Sequence, residues 1–359
     1  MREFTYVGQP THVVFGSGTV KLVADQIRAL GARRALVLST RGHEPQAREL
    51  AASLGELAVD VFPGAVMHTP VTVTEQAVEV LRRTNADCVV ALGGGSTIGL
   101  GKAIAVRTDV PQVAVPTTYA GSEMTDILGE TRDGAKATQR GPAILPERVV
   151  YDVDLTLSLP ASLSVTSGLN AMAHAVEALY AADTNPMIAL MAEEGVRAFA
   201  ASLPAIVTDP ADRDARSDAF YGAWLCGLCL GSVSMALHHK LCHTLGGMFN
   251  LPHAETHAIL LPHAMAYNAS AAPEAMRRMA RALGADDAVV GLTDLVIRLN
   301  APRALRDLDM PRDGIDAAVA AALKSPYKNP RPLQEAPLRE LIARAWEGAP
   351  PADTEVDRP

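Results

Sequence analysis

The chain has 359 residues, 48% of them hydrophobic and only 4% aromatic, which is enough to bury the cores of two domains. Its 32 basic and 40 acidic residues leave a formal charge of −8, and no basic run is interleaved with aromatics, so nucleic acid is excluded as a partner. Ala, Val, Leu and Gly dominate, a composition that suits a helix-rich α/β enzyme rather than a β-sandwich.

The opening MREFTYVGQP carries an early glutamate and no apolar segment, so it does not read as a signal peptide. THVVF (11–15) reads as a strand, GSG (16–18) as a turn, and residues 20–30 as a helix. ALVL (35–38) is a second, buried strand, 59–62 a third, CVVAL (88–92) a fourth and 113–115 a fifth, with a helix over 74–84. Strands alternating with helices at this spacing predict a parallel sheet covered on both faces.

CVVAL runs into Gly93, Gly94, Gly95 and Ser96, and a helix follows through Lys102. A glycine-rich turn between strand and helix lets backbone amides approach phosphate at the positive end of the helix. The turn is neither G-x-G-x-x-G nor a Walker loop, and Lys102 is not placed like a P-loop lysine. The next strand ends in PTTYAGSE (116–123), whose Thr117, Thr118, Tyr119 and Ser122 lie where open α/β sheets bind ligands. Two such loops together predict a nucleotide.

VVYDVDLTLSLP (149–160) is the last extended piece, and beyond it the pattern is helical, so the domain boundary is expected at Leu159. Helices are expected around GLNAMAHAVEALY (168–180), where Asn170 and His174 share a face, and over 186–201, 213–243 and 255–261. More follow Pro273, and one last helix lies after Gln334. This divides the chain into an α/β domain at 1–159, a helical domain at 160–348 and a disordered tail at 349–359.

Cys226 and Cys229 form a C-x-x-C inside an apolar helical run with no second such pair, so they read as small core residues. Free buried thiols fit a reducing cytoplasm. Residues 219–237 are uncharged for long enough to span a bilayer and contain Gly227-x-x-x-Gly231. They are nevertheless rich in Gly, Ser and Cys and lead straight into a polar cluster, so a buried central helix is the better account.

That cluster, MALHHKLCHTLGGMFNLPHAETHAILLPHAMAYN (235–268), holds six of the ten histidines: His238, His239, His243, His253, His257 and His263. His239 and His243 share one helical face, Gly246 and Gly247 are expected to end that helix, and Pro252 suits the start of the next. His253 and His257 then share a second face. Imidazoles from two helices meeting at a turn build a pocket for a metal or for proton transfer.

GGGS (93–96), PTTYAGSE (116–123), DLTLSLP (154–160), GLNAMAHAVEALY (168–180) and the histidine stretch, in this order and spacing, resemble the iron-containing alcohol dehydrogenase family over nearly the full chain. The resemblance implies a Rossmann-like nucleotide-binding domain, an all-α catalytic domain as in dehydroquinate synthase, a cleft between them, NADH or NADPH as cofactor, and a homodimer. In that family an aspartate and three histidines hold the metal, at the positions of Asn170, His174, His239 and His253 here.

Asn170 removes the only carboxylate from that set, leaving neutral donors against a dication. Asn170, HHKLCHTLGG (238–247), LPHAETHA (251–258), YKNPRP (327–332) and Gly99 in place of a usual aspartate resemble a metal-free branch of the family. Its members reduce the double bond of a small keto-dicarboxylate, substituted forms included, late in the bacterial breakdown of aromatic compounds. The resemblance implies His243 as proton donor, with His174, His239, His253 and Lys240 binding and polarising the dianion. The second strand ends Leu38-Ser39-Thr40 with no acid and Arg41 next, so both nucleotides are expected at Thr40. A metal-dependent alcohol or polyol dehydrogenase, a lyase and a non-catalytic nucleotide-binding protein are the competing classes.

Overall fold

The computed structural model describes residues 3–132, 135–324 and 327–352. Most of the tail expected to be disordered (353–359) lies outside the described residues. The chain packs as two units, Gly8–Leu159 and, together with the residues before Gly8, Pro160 onward.

The first unit is a Rossmann-like α/β domain. Its elements are β1 (His12–Gly16), α1 (Val23–Ala29), β2 (Ala35–Leu38), α2 (Glu44–Leu54), β3 (Ala58–Phe62), α3 (Val71–Arg83), β4 (Cys88–Gly93), α4 (Gly95–Thr108) and β5 (Gln112–Pro116). A hairpin of β6 (Ile127–Arg132) and β7 (Ala135–Arg140) and a final strand β8 (Arg148–Asp152) complete it. Six strands form one sheet in the order β1-β8-β5-β4-β2-β3, all parallel. The central strands β2, β4 and β5 are buried along their whole length, which is why their sequences read as unbroken apolar runs. The chain leaves β2 toward β3 and leaves β4 toward β5, so connections diverge between these neighbours. The carboxyl ends of β2 and β4 therefore flank the crevice where such sheets bind ligands.

Three features differ from the sequence reading. The helix expected over 20–30 begins as a 3-10 turn at Thr19–Leu22. The extended piece after 149 ends at Asp152, whose side chain accepts from Asp154 N and turns the chain into a short 3-10 helix. The β6–β7 hairpin pairs antiparallel, apart from the main sheet, and no alternating pattern announced it.

The second unit is all-helical: α5 (Ala161–Tyr180), α6 (Pro186–Thr208), α7 (Arg213–Ser232), α8 (Leu237–Phe249), α9 (His253–Asn268), α10 (Pro273–Leu283), α11 (Ala288–Arg298), α12 (Ile315–Leu323) and α13 (Glu335–Glu347). From Ser164 to Tyr180 every residue of α5 is buried. Cys226 and Cys229 lie in the core of α7, their thiols pushed up by burial. Leu237, Leu241 and Leu245 of α8 join Ile259, Val319 and Ile342 in one apolar cluster.

The single helix expected over 213–243 is two helices, bent by 92° at the break Val233–Ala236. Asp183 holds the break, accepting from Ser234 N at 3.0 Å and from Ser234 Oγ at 2.8 Å. Gly246 and Gly247 do not end α8; it runs to Phe249 and closes on Asn250, left-handed at φ 52°, a conformation asparagine tolerates. α6 and α9 also outrun their expected ends, continuing through Pro204 and Pro262. Among the described residues no single helix is long and apolar enough to cross a membrane.

Candidate active site

The 92° break brings the N-terminus of α8 against the buried face of α5 within the helical unit. Glu177, three residues after His174 and fully buried, supplies the contact. Its Oε1 accepts from His238 N (2.7 Å), and its Oε2 accepts from Ala236 N (2.9 Å) and from His239 Nδ1 (2.7 Å). The side-chain oxygen of Asn329 takes the remaining first-turn amide, Leu237 N, at 3.3 Å. α8 is thus capped entirely in trans, by a carboxylate placed where the helix dipole favours negative charge.

The Glu177 contact also decides a tautomer. A carboxylate only accepts, so the proton of a neutral His239 sits on Nδ1 and Nε2 faces the site as a bare acceptor. His239 Nε2, His174 Nδ1 and Asn170 Oδ1 are buried and have no partner among the described residues. The His174 and His239 rings lie 5.1 Å apart. Buried polar atoms without partners are rare, and a group of them on one floor is open to a bound molecule. His174 is held well below the ordinary imidazole range, first by burial and then by its neighbours His239, His253 and His243.

His243 and His253 are exposed, at the front of this floor, their rings stacked with centroids 6.3 Å apart. His253 lies 4.3 Å from the His257 ring, and His243 lies 6.2 Å from His239. The structure therefore brings together Asn170, His174, His239, His243 and His253. His263 is not among them: it stands on the far part of α9, against a small cavity. Lys240, half-buried, sits over the Tyr327 ring at 5.7 Å and has no carboxylate partner among the described residues. The hydroxyl of Tyr327 is itself buried and has no partner among the described residues.

The donor set does not fit the metal the resemblance implies. Asn170 is neutral, and Glu177, the nearest carboxylate, is spent on the amides of α8. Among the described residues the only three ligand atoms that come within 4.8 Å of one another belong to His238, Cys242 and His257, not to His174, His239 and His253. That trio is already a hydrogen-bonded chain, His238 Nε2 to His257 Nδ1 at 3.0 Å and Cys242 Sγ to His238 Nε2 at 3.6 Å. Burial holds the thiol up in its protonated form and both imidazoles down in their neutral forms.

In the α/β unit, Gly93 and Pro116 are register partners at the ends of β4 and β5, so their following loops lie side by side. Thr117 N donates to Gly93 O at 3.2 Å. Gly93 has φ 152°, and a Cβ there would meet Thr97 Oγ1 at 2.4 Å; one on Gly94 would meet Thr118 Cγ2 at 2.9 Å. Only glycine allows these approaches. Gly95 opens α4 with clear space in front of it, and Ser96 follows half-buried. Thr117 Oγ1 and Thr97 Oγ1 are buried and have no partner among the described residues. Ser122 and Thr118 are half-buried, whereas the Tyr119 ring is fully buried in the core. Thr40 Oγ1 pairs with His43 Nδ1 at 3.1 Å just beyond β2, with no carboxylate at the strand end. At Gly99 the space a side chain would need is filled by Thr69 Oγ1, 2.6 Å from where Cβ would stand.

Sequence reasoning missed Glu177, Asn329 and Tyr327 as parts of the site. Glu177 had a signal, since 170, 174 and 177 share one helical face. Asn329 and Tyr327 lie some sixty residues beyond the last histidine of the cluster, at a place with no helical periodicity to connect them.

Residues 10–153 match the iron-containing alcohol dehydrogenase family, and residues 164–346 match the C-terminal part of the Fe-containing alcohol dehydrogenase family. A maleylacetate reductase of Sphingobium indicum is 56% identical over 349 residues, 97% of this chain and 99% of that protein. One from Rhizobium sp. is 55% identical over 98% of this chain and 100% of its own length. The crystal structure of maleylacetate reductase from Agrobacterium tumefaciens superposes with a TM-score of 0.95 at 55% identity, covering 98% of this chain and all of that one.

Proposed function

The chain belongs to the iron-containing alcohol dehydrogenase family, and from that premise we propose that it reduces maleylacetate to 3-oxoadipate with NADH or NADPH, late in the bacterial breakdown of aromatic compounds. The observation that carries this reading is the likeness over almost the whole chain to proteins named for that reaction.

The chemistry asks for three things. Hydride from the nicotinamide adds to the alkene carbon β to the ketone, and the double-bond electrons move onto the ketone oxygen as an enolate. The enolate then takes one proton at its α carbon, so one NAD(P)H and one proton are consumed and NAD(P)⁺ is released. The negative charge must meanwhile be held by donors or cations. Lys240, without a carboxylate partner among the described residues, supports binding of the dianion in a chain of net negative charge. His174, His239 and Asn170 supply unpartnered buried polar atoms, and His253 stands exposed beside His243. His243, exposed at the front of the cluster, is the proposed proton donor. The absence of an acid at the end of β2 supports use of both nucleotides, because nothing there repels a 2′-phosphate.

A hydride acceptor conjugated to a ketone needs no Lewis acid, and the neutral donor set around Asn170 supports a reaction without a resident metal. The test is to follow NADH oxidation with maleylacetate against a panel of alcohols and aldehydes, with metal analysis on the same sample. Turnover of maleylacetate should survive exhaustive chelation. Loss of activity on chelation, restored by iron or zinc and accompanied by oxidation of a diol, would establish the metal-dependent alcohol dehydrogenase instead.

A further inference from the structure

We propose that Lys102 is a positioning residue for the dinucleotide, holding the turn 122–127 in place from inside α4. The proposal rests on the nucleotide reading above and adds to it a residue that touches no ligand.

Lys102 lies two helical turns into α4, the helix that Gly95 opens, and its side chain is fully buried. Its ammonium donates to Ser122 O at 2.5 Å, Thr125 O at 2.9 Å, Thr125 Oγ1 at 2.9 Å and Ile127 O at 3.0 Å. Ser122 Oγ lies at 3.4 Å. An ammonium has three N–H donors and no acceptor, and the three carbonyls of this one turn are its complement. No smaller or neutral side chain at 102 reaches all three. Burial pushes the Lys102 ammonium down to about 7, while Glu123 and Asp126 pull it back up. The charge is thus offset by these two carboxylates and by the main-chain oxygens that accept from the ammonium.

The turn is pinned a second time from the sheet. Glu123, fully buried, accepts from the Tyr151 hydroxyl at 2.7 Å, and Tyr151 belongs to β8. Between these two anchors and the end of β5 lies the segment with Thr117, Thr118 and Ser122. Its start is tied to β4 by Thr117 N and Gly93 O. One helix therefore opens with its N-terminus at the glycine turn and, two turns later, fixes the exit of the neighbouring loop. The spacing between the two loops is set by a single rigid element, as a site that must grip a rigid ligand requires. Lys102 cannot serve as a phosphate ligand, since its contacts are already used inside the fold.

A purely structural lysine would alter stability and the fraction of active protein without changing nucleotide affinity. The test is Lys102→Met in the full chain, with NADH and NADPH dissociation constants, steady-state kinetics with maleylacetate, and amide hydrogen exchange of residues 121–128 without ligand. The expectation is faster exchange in that segment and a dinucleotide Kd raised by at least about tenfold, with kcat at saturating nucleotide and the KM for maleylacetate within about threefold of the parent. Unchanged exchange, or faster exchange with unchanged Kd, overturns the proposal. If Lys102→Met does not fold, Thr125→Val removes the Thr125 Oγ1 contact to the ammonium together with that hydroxyl's own bonds to Ser122 O and from Ile127 N, and must move both readouts in the same direction; no movement overturns it too. A parent protein that binds neither nucleotide sinks the nucleotide reading itself, and this outcome is distinct because the exchange data do not depend on it.

Discussion

Beside the histidines and Lys240 proposed to hold the dianion, Tyr327 is a further candidate to serve the enolate, and its surroundings separate its task from that of His243. A proton donor must reach the substrate, and the His243 imidazole is exposed at the front of the cluster. The Tyr327 phenol is pushed further above its ordinary range by burial and by the Glu177 carboxylate, so it is a poor acid. It remains a good hydrogen-bond donor, and its hydroxyl has no partner among the described residues. His243→Ala should therefore lower kcat by roughly a hundredfold or more with a smaller effect on KM. Tyr327→Phe should lose what a missing oxyanion donor costs, about a hundredfold in kcat. Steady-state kinetics of the two variants decide: if His243→Ala keeps near-normal kcat while Tyr327→Phe is inactive, the phenol delivers the proton and the assignment is reversed.

At the scale of the element, α8 has no cap of its own: Ala236 precedes it, and its first amides are met by Glu177 and Asn329 from elsewhere in the chain. The same carboxylate orients His239, so helix position and imidazole tautomer are one device. Glu177→Gln keeps the shape but brings an amide N–H toward either a backbone donor or Nδ1. The expected result is a shift of the His239 proton to Nε2, seen as an exchanged pair of imidazole ¹⁵N resonances, and a fall in kcat of about ten- to a hundredfold. The unmatched buried donor should cost about 1–3 kcal/mol of stability. An unchanged His239 tautomer in the variant would remove Glu177 from the orienting role. The break before α8 was not legible because its cause, Asp183 on Ser234 and Glu177 on Ala236, joins residues some fifty or more apart. Local sequence there reads as one uncharged helical run, with the bend supplied by partners outside it.

For the whole molecule the buried histidines predict acid lability. Burial and, secondarily, Arg344 push His263 down to about 4, so it stays neutral in the native state where the unfolded chain would take up a proton. Between about pH 6.5 and 4 the unfolded state thus binds more protons, and stability must fall as pH falls through that window, by about 3 kcal/mol from this residue at pH 4. His174, His238 and His257 are held down by burial in the same direction, so their contributions add in sign. Urea midpoints measured from pH 7.5 to 4.5 should drop steeply in the parent and less steeply in His263→Gln. A parent midpoint that is level down to pH 5 would contradict the burial seen for these rings.

The sequence by itself determined the two-part architecture, because apolar runs of strand length and helical periodicity are local properties that survive without tertiary context. It also determined which chemistry was available: a glycine turn and a hydroxyl-rich loop at strand ends, six histidines in one window, and Asn170 in place of a carboxylate. The tertiary structure alone decided which of those histidines share a floor. That depended on a 92° break, on caps given in trans, and on a segment near residue 327 folding back toward α8. It also turned Lys102 from an apparently idle lysine into the hub of a loop. Contacts of this kind satisfy main-chain donors and acceptors with side chains distant in the chain, and no periodicity records them, because only burial makes an unmet hydrogen bond costly.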